Sequence, residues 1–196
     1  MKRLYFVILS LVFFIGCVST PESPLASKTP SPIITPEPAL ILDPIEDEEY
    51  QIELFRGIKT VVVNKDELTV KVSVIRMGRN YIRFFIFFQN LSVYTMPYRQ
   101  HFLGIDGSYN GLDWVRLRLM TADETQRLFD SFAIQANKPL LGRECFLYDN
   151  DIKPGQFYNG ERGYIKDSDP VFNFYRLRIG KDSPQILIFF QRLEEE

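Results

Sequence analysis

Two short segments of the chain place arginine and aromatic side chains at alternate positions, where they could bind a partner. The segments are residues 114–119 and 172–179, and both contain the pattern Arg-x-Arg. Because alternate side chains of an extended strand share one face, each segment predicts an outward face of arginines and aromatic rings backed by apolar residues. The residues predicted to form this surface are Trp114, Arg116, Arg118, Phe172, Phe174, Arg176 and Arg178.

The chemistry of this predicted surface suits several partners. Guanidinium groups form paired hydrogen bonds with carboxylates and phosphates, and arginine and tryptophan are common anchors of protein interfaces. A protein partner, an anionic glycan and an anionic lipid head group all fit. The alternative is a structural role, in which arginines on an open sheet face are solvated or paired with acidic residues across strands.

The residue types that most often carry catalysis are sparse in this chain. His101 is the only histidine, and its neighbours contain no nucleophile, so a Ser-His or Cys-His site would need distant segments. The carboxylate pairs Asp149/Asp151 and Asp167/Asp169 have the spacing that places two acids on one strand face. They leave a hydrolase as a third alternative. Both pairs lie among turn-forming residues, so the sequence predicts a protein that is not an enzyme and needs no cofactor.

Metal chemistry is also not predicted. The two cysteines, Cys17 and Cys145, and the lone histidine do not form a set with zinc spacing. The turns at residues 106–110 and 149–151 offer oxygen ligands, but neither fits the twelve-residue calcium loop. We therefore expect ordinary turns there, and we expect Cys145 to behave as a small buried apolar residue.

The residues around these positions have the pattern of an all-β protein. Residues 68–74 alternate strictly between apolar and polar types, and residues 60–63 are their predicted hairpin partner. Residues 81–88 are apolar on nearly both faces, which favours a central strand. Further strands are predicted at residues 102–105, 114–120, 143–148, 156–166, 171–179 and 185–192. Short strands at this spacing are typical of an antiparallel sandwich.

One short helix is predicted after Thr121. Thr121 and Glu124 have the spacing of a capping box, in which each side chain accepts a hydrogen bond from the other residue's backbone N–H. Leu128, Phe129 and Phe132 then lie on one face of the helix, which we expect to pack against the sandwich.

The N-terminal residues predict export and a lipid anchor. Lys2 and Arg3 precede an apolar run, and residues 14–17, Phe-Ile-Gly-Cys, resemble a lipobox. This pattern predicts a signal peptide at residues 1–16 and lipidation of Cys17, whose acyl chains would hold the protein on the cell membrane or outer membrane. Ordinary secretion with cleavage elsewhere is the alternative. An extracytoplasmic location disfavours nucleic acid as a partner.

A tether is predicted between Cys17 and the folded domain. Residues 18–49 contain seven prolines and no aromatic residue, and seven of these residues are acidic. Such a composition cannot bury enough apolar surface to fold. We therefore expect residues 17–49 to be a lipidated cysteine followed by a disordered Pro-rich tether, and residues 50–196 to form the domain.

A family resemblance is found in the C-terminal half of the chain. Residues 152–156, Ile-Lys-Pro-Gly-Gln, are followed by Gly160 and then by the strand at residues 175–179. This succession resembles the penultimate hairpin of bacterial immunoglobulin-like lipoprotein domains of unknown function. The resemblance implies an immunoglobulin-like antiparallel β-sandwich and transfers no catalytic residues. The expected function is a membrane-anchored protein-interaction or envelope-assembly module, with binding of an anionic glycan or lipid head group as the alternative.

Overall fold

A computed structural model describes residues 41–76, 81–165, 172–180 and 185–193 of the chain. Within these ranges the protein is mostly β, with one α-helix. The strands are β1 (Ile41–Pro44), β2 (Gln51–Phe55), β3 (Ile58–Lys65), β4 (Leu68–Arg76), β5 (Tyr81–Asn90), β6 (Met96–Tyr98), β7 (Leu103–Ser108), β8 (Val115–Leu117), β9 (Asn150–Ile152), β10 (Phe157–Ile165), β11 (Phe174–Ile179) and β12 (Ile186–Leu193), and the helix is α1 (Ala122–Gln135). The predicted signal peptide, Cys17 and the Asp167/Asp169 pair lie outside the described residues.

The strands form two five-stranded antiparallel sheets and one small ribbon. Sheet 1 has the order β1-β12-β11-β7-β8, and sheet 2 has the order β10-β5-β4-β3-β2. Strands β6 and β9 pair with each other separately. The predicted hairpin of residues 60–63 with residues 68–74 is confirmed as β3 and β4, and the predicted central strand is confirmed as β5, between β10 and β4.

Both sheets contribute apolar side chains to one core. The alternate positions of β5 that point inward are buried, because an extended strand presents every second side chain to the same face. The fully buried core residues include Val72, Phe84 and Ile86 from sheet 2 and Ile105, Leu177 and Ile188 from sheet 1. The outer face of each sheet therefore carries the remaining side chains, and any site on a sheet is built from them.

Helix α1 covers one end of the outer face of sheet 2. Its predicted capping box is present, with Thr121 and Glu124 each accepting a hydrogen bond from the other's backbone N–H. Phe129 is buried and packs edge-on against Tyr81, at a centroid distance of 6.2 Å, and against Phe146, at 5.6 Å. Phe132 is only half covered. The helix thus forms a second, smaller core outside the sheet.

The folded domain begins earlier than the sequence predicted. Residues 41–44, assigned to the tether, form β1 and pair with β12 at the edge of sheet 1. Leu42 is buried in the core, which stabilises this segment against disorder. Pro44 ends the strand, a position where its missing N–H removes no essential ladder bond.

The strand predicted at residues 143–148 is wrong. Arg143–Cys145 form a short 3-10 turn, and Phe146 then makes an isolated parallel bridge with Glu161. The apolar residues here serve two cores, since Phe146 packs beneath α1 and Leu147 packs in the main core. The sequence pattern of residues 143–148 therefore resembles that of a strand, although these residues form no strand ladder.

Irregular backbone covers the outer edge of β10. The first covering segment is residues 119–120, where the Met120 N–H donates to the Gly163 carbonyl at 2.9 Å and Leu119 forms a bridge with Tyr164. The second is residues 146–147, where the Leu147 N–H donates to the Glu161 carbonyl at 3.4 Å. Sheet 2 is therefore flanked on this side by non-strand segments. Nowhere in the described ranges is there a helix with the length and apolarity to cross a membrane.

Candidate arginine and aromatic surface

Sheet 1 brings the two predicted Arg-x-Arg segments into one sheet but separates them by a strand. Strand β7 lies between β8 and β11, and Asp106 of β7 is opposite both Arg116 and Arg176 in the register. Leu117 and Leu177 are opposite Ile105 and point to the core. The arginines of the two segments therefore face outward on either side of an aspartate.

Asp106 is the centre of the surface. Its side chain is 5% exposed, and its Oδ2 accepts hydrogen bonds from Nε of Arg176 at 3.0 Å and Nε of Arg178 at 2.7 Å. Nη2 of Arg176 lies 2.9 Å from the same oxygen. Charge-assisted bonds of this kind are stronger than neutral ones. One carboxylate therefore holds two guanidinium groups next to each other.

Trp114 fixes the other side of Arg176. Cζ of Arg176 lies 4.5 Å from the centroid of the Trp114 ring, a cation–π distance. The Trp114 ring in turn contacts Phe189 of β12 at a centroid distance of 5.8 Å. Arg176 is held between a carboxylate and an aromatic ring, so its position does not depend on a bound partner.

Arg178 lies directly over the backbone of β7. A Cβ added at Gly104 would lie 2.6 Å from Nη2 of Arg178. Glycine at this position therefore leaves the space that the guanidinium occupies. The close approach explains how the side chain reaches Asp106 while only 19% of its area is exposed.

The other predicted surface residues have different positions. Arg116 is exposed and has no ion-pair partner among the described residues. Arg118 forms an ion pair with Glu124 of α1 and so extends toward the helix instead of toward Asp106. Phe174 is half buried beside Gly111.

Phe172 does not belong to the surface, contrary to the prediction. It is buried in the core and packs against Tyr109, at a centroid distance of 4.7 Å, and Tyr175, at 6.2 Å. Strand β11 begins at Phe174, so the alternation of faces does not extend back to residue 172. The ring fills the space left by the missing Cβ of Gly107.

We name the arginine surface by its members, Trp114, Arg116, Phe174, Arg176 and Arg178 around Asp106. Three guanidinium groups face one carboxylate there, so the formal charge is 3 − 1 = +2. Such a surface combines fixed cations with aromatic faces. It can receive carboxylates, backbone carbonyls and flat apolar groups.

Sequence reasoning missed Asp106, because Asp and Gly are depleted in strands and residues 106–107 were interpreted as a turn. The structure places both inside β7. The signal was the alternation of Leu103 and Ile105, which assigns Gly104 and Asp106 to the opposite, outer face.

The residues considered for catalysis or metal binding make structural contacts. Oδ1 of Asp149 accepts a hydrogen bond from the backbone N–H of Gln100 at 2.8 Å, and Asp151 pairs with Arg99 at 2.8 Å. His101 is exposed and lines a polar cleft of about 490 Å³ between the edges of β8 and β10. In the ranges described, no three His, Cys, Asp or Glu side chains meet in a way that could hold a metal ion.

The buried Arg162 also lines this cleft. Its Nε donates to the Met120 carbonyl at 2.9 Å, and its Nη1 donates to the Tyr98 hydroxyl at 3.4 Å. Burial lowers the pKa of Arg162 and raises the pKa of Tyr98. Arg162 therefore connects β10 to the segment that precedes α1 and to β6.

In the described part of the chain, the arginine surface therefore brings together partly exposed guanidinium groups and an aromatic ring that contact one another or Asp106. Its arrangement is fixed by contacts among the side chains of sheet 1 and the adjacent Trp114. No protein-family model, curated protein or solved structure matches this chain.

Proposed function

We propose that this chain is a membrane-anchored extracytoplasmic lipoprotein whose β domain binds another envelope protein through the arginine surface. The observation that carries the proposal is the fixed position of Arg176 between Asp106 and Trp114. Side chains that are ordered before binding lose less conformational entropy when a partner docks. Arginine and tryptophan are also the residue types that most often dominate interface energetics.

The charge balance favours a protein partner over a strongly anionic ligand. Asp106 already offsets part of the charge of Arg176 and Arg178, and Glu124 pairs with Arg118. A sulfated glycan or phosphorylated head group would thus contact fewer unpaired cations than the sequence pattern predicts. A protein surface, with isolated carboxylates and apolar groups, matches the arginine surface better.

Binding of an anionic glycan or lipid head group is the second candidate. Arg116 supports it, because this guanidinium is exposed and has no ion-pair partner among the described residues. Binding of this kind would weaken steeply as salt screens the exposed charges. Protein binding centred on Trp114 would depend less on salt.

The lipid anchor and the fold family are part of the same proposal. Residues 14–17 support lipidation at Cys17, and β1 at Ile41 leaves residues 18–40 as the tether. Two antiparallel sheets around one core support an immunoglobulin-like domain. The strands β2, β3, β4 and β5 are neighbours in sheet 2 in their order along the chain, which is a meander. Immunoglobulin-like domains have Greek-key connections, so sheet 2 differs from them in this respect.

The test is cross-linking of the full-length protein in its native envelope, followed by mass spectrometry. We compare the wild type with a Trp114→Ala/Arg116→Gln variant, which alters two surface residues and leaves Asp106 paired. Arg118→Gln is the matched control, since Arg118 is a nearby arginine that faces the helix. We expect one protein to be captured by the wild type and the control and lost from the double variant.

Two results would contradict the proposal. Equal capture by all three proteins would place the interface elsewhere. Absence of any captured protein, together with salt-sensitive binding to anionic glycans or vesicles, would replace the proposal by the second candidate.

A further inference from the structure

The hairpin of β2 and β3 carries an apolar tip that no other part of the described chain covers. Leu54 is 75% exposed, Phe55 is 62% exposed and Ile58 is 38% exposed. Farther along β3, the residues at 61–63 are all buried. The hairpin therefore begins in the core and ends in solvent.

The exposure of both faces shows that the tip projects beyond the two sheets. Leu54 and Phe55 are consecutive in β2, so their side chains point to opposite faces of the strand. Both are nevertheless exposed, whereas Ile52, on the same face as Leu54, packs against the core. The β2–β3 hairpin therefore extends past the core by residue 54.

The tip is also a well-defined turn. Arg56 and Gly57 connect β2 to β3, with φ values of 51° and 78°. Positive φ at both central residues is characteristic of the tight type I′ hairpin turn. Three large apolar side chains are thus exposed close together at one projecting turn, and clustered exposed apolar groups mark interaction sites where singly scattered ones do not.

The tip lies at the end of the domain where the tether joins it. Asp43 of β1 accepts a hydrogen bond from Lys59, the residue paired with Leu54 in the hairpin, at 2.7 Å. Farther along the chain, the Ile45 carbonyl accepts from the Tyr50 hydroxyl at 2.6 Å, at the other end of β2. Strand β1 therefore runs away from the tip. Its first residue, Ile41, is at the tip end.

We propose that the β2–β3 tip inserts into the interface of the same lipid bilayer that holds the acylated Cys17. The inference rests on the proposed lipid anchor, and it names the surface that faces the membrane. A tether of residues 18–40 joined at this end keeps the tip close to the bilayer, so a weak apolar interaction is enough for contact.

The residues around the tip fit a lipid interface. The guanidinium of Arg56 lies over the Phe55 ring, with Cζ 5.4 Å from its centroid. Arginine side chains at such positions place their apolar stems among acyl chains and their charge among head groups. Lys59 is paired with Asp43, so Arg56 supplies the charge at the turn. Contact would therefore depend mainly on the apolar side chains and little on salt.

The experiment uses the full-length lipidated protein in vesicles of phosphatidylcholine and phosphatidylglycerol whose acyl chains carry a quencher. In a Cys145→Ser background, an environment-sensitive fluorophore is attached at Leu54→Cys. The matched control is Glu67→Cys, an exposed position in the turn at the opposite end of β3. Mass spectrometry of the same samples measures acylation of Cys17.

We expect the label at residue 54 to be quenched and the label at residue 67 to remain unquenched. With the label kept at residue 54, Phe55→Gln should reduce the equilibrium constant for tip insertion about tenfold, since it removes one large apolar group. Circular dichroism checks that each variant is folded.

The outcomes separate this inference from the anchor. Acylated protein in which neither label is quenched, or in which both are quenched equally, would overturn tip insertion and leave the anchor in place. Protein without acyl chains on Cys17 would overturn the anchor, and the inference with it.

Discussion

The outer faces of the two sheets use the same kinds of groups but are covered differently. On sheet 2, Arg83 pairs with Glu161 at 3.4 Å, and Cζ of Arg83 lies 5.0 Å from the centroid of the Phe129 ring. Helix α1 supplies that ring and covers the pair. Oε2 of Glu161 is buried without a hydrogen-bond partner, and burial raises the Glu161 pKa although Arg83 opposes the shift.

On sheet 1 the corresponding groups are Arg176, Asp106 and Trp114, and no described helix covers them. The carboxylate is buried by the arginines themselves, while the guanidinium and indole groups keep an accessible side. An arginine, a carboxylate and an aromatic ring therefore do not by themselves define a binding surface. The cover decides whether they stabilise the fold or remain available to a partner.

The largest expected difference between the two faces is in stability. Phe129→Ala removes a buried ring from beneath α1 and should lower the free energy of unfolding by about 3–5 kcal/mol. Trp114→Ala removes a partly buried ring that contacts Arg176 and Phe189, and should lower it by about 1–2 kcal/mol. Urea unfolding monitored by circular dichroism measures both losses of stability. It does not rely on tryptophan fluorescence, which Trp114→Ala would remove because Trp114 is the only tryptophan. Equal losses would mean that the ring on sheet 1 is as structural as the one under the helix.

A smaller effect is expected from the carboxylate of sheet 1. Asp106→Asn leaves two half-buried guanidinium groups without their counter-charge and should cost about 2 kcal/mol. Glu124→Gln, at the more exposed pair with Arg118, should cost less than 1 kcal/mol. Both substitutions keep the shape of the side chain. Similar losses in urea unfolding would show that Asp106 does not organise the surface.

The smallest effect is a difference in pH dependence between two glutamates. Burial raises the pKa of Glu161, whereas a hydrogen bond from the Thr121 backbone lowers the pKa of Glu124. Ionised Glu161 therefore destabilises the fold as pH rises through its folded pKa, so Glu161→Gln should gain stability relative to wild type from acid to neutral pH. The Glu124 contribution is present above its unfolded pKa and is lost as pH falls through its folded pKa, so Glu124→Gln should lose stability toward neutral pH.

Urea unfolding at a series of pH values from acid to neutral measures both differences. Opposite slopes for the two variants are the expected result. Parallel slopes would contradict the assignment of Glu161 as a covered carboxylate and Glu124 as a helix cap.

Local patterns were sufficient to predict some of the regular elements of the fold but not all of them. Strict alternation identified the β3–β4 hairpin, and the spacing of Thr121 and Glu124 identified the start of α1. The β1 strand was missed because the composition of residues 18–49 is typical of a disordered segment. Its stability comes from pairing with β12, which is distant in sequence, and from burial of Leu42.

The candidate site could be predicted only in part for the same reason. Alternation correctly grouped Arg176 and Arg178 on one face, but it could not show which strand lies beside β11. Asp106 lies in the site because β7 is the neighbour of β11 in the sheet order. Phe172 lies outside the site because β11 begins two residues later, at Phe174. The alternation of side chains within one segment does not specify which strands become its neighbours in the sheet.

The irregular segments along β10 have a consequence for contacts between copies of the chain at high concentration. A sheet edge with free backbone groups is a template for other copies, and a sheet with two such edges can polymerise into a fibre. In the part of the chain that the structure describes, sheet 2 has a covered edge at β10 and leaves only β2 open. Strand addition at β2 would join two copies and then stop, so molecules at high concentration could pair through this sheet without growing into a filament.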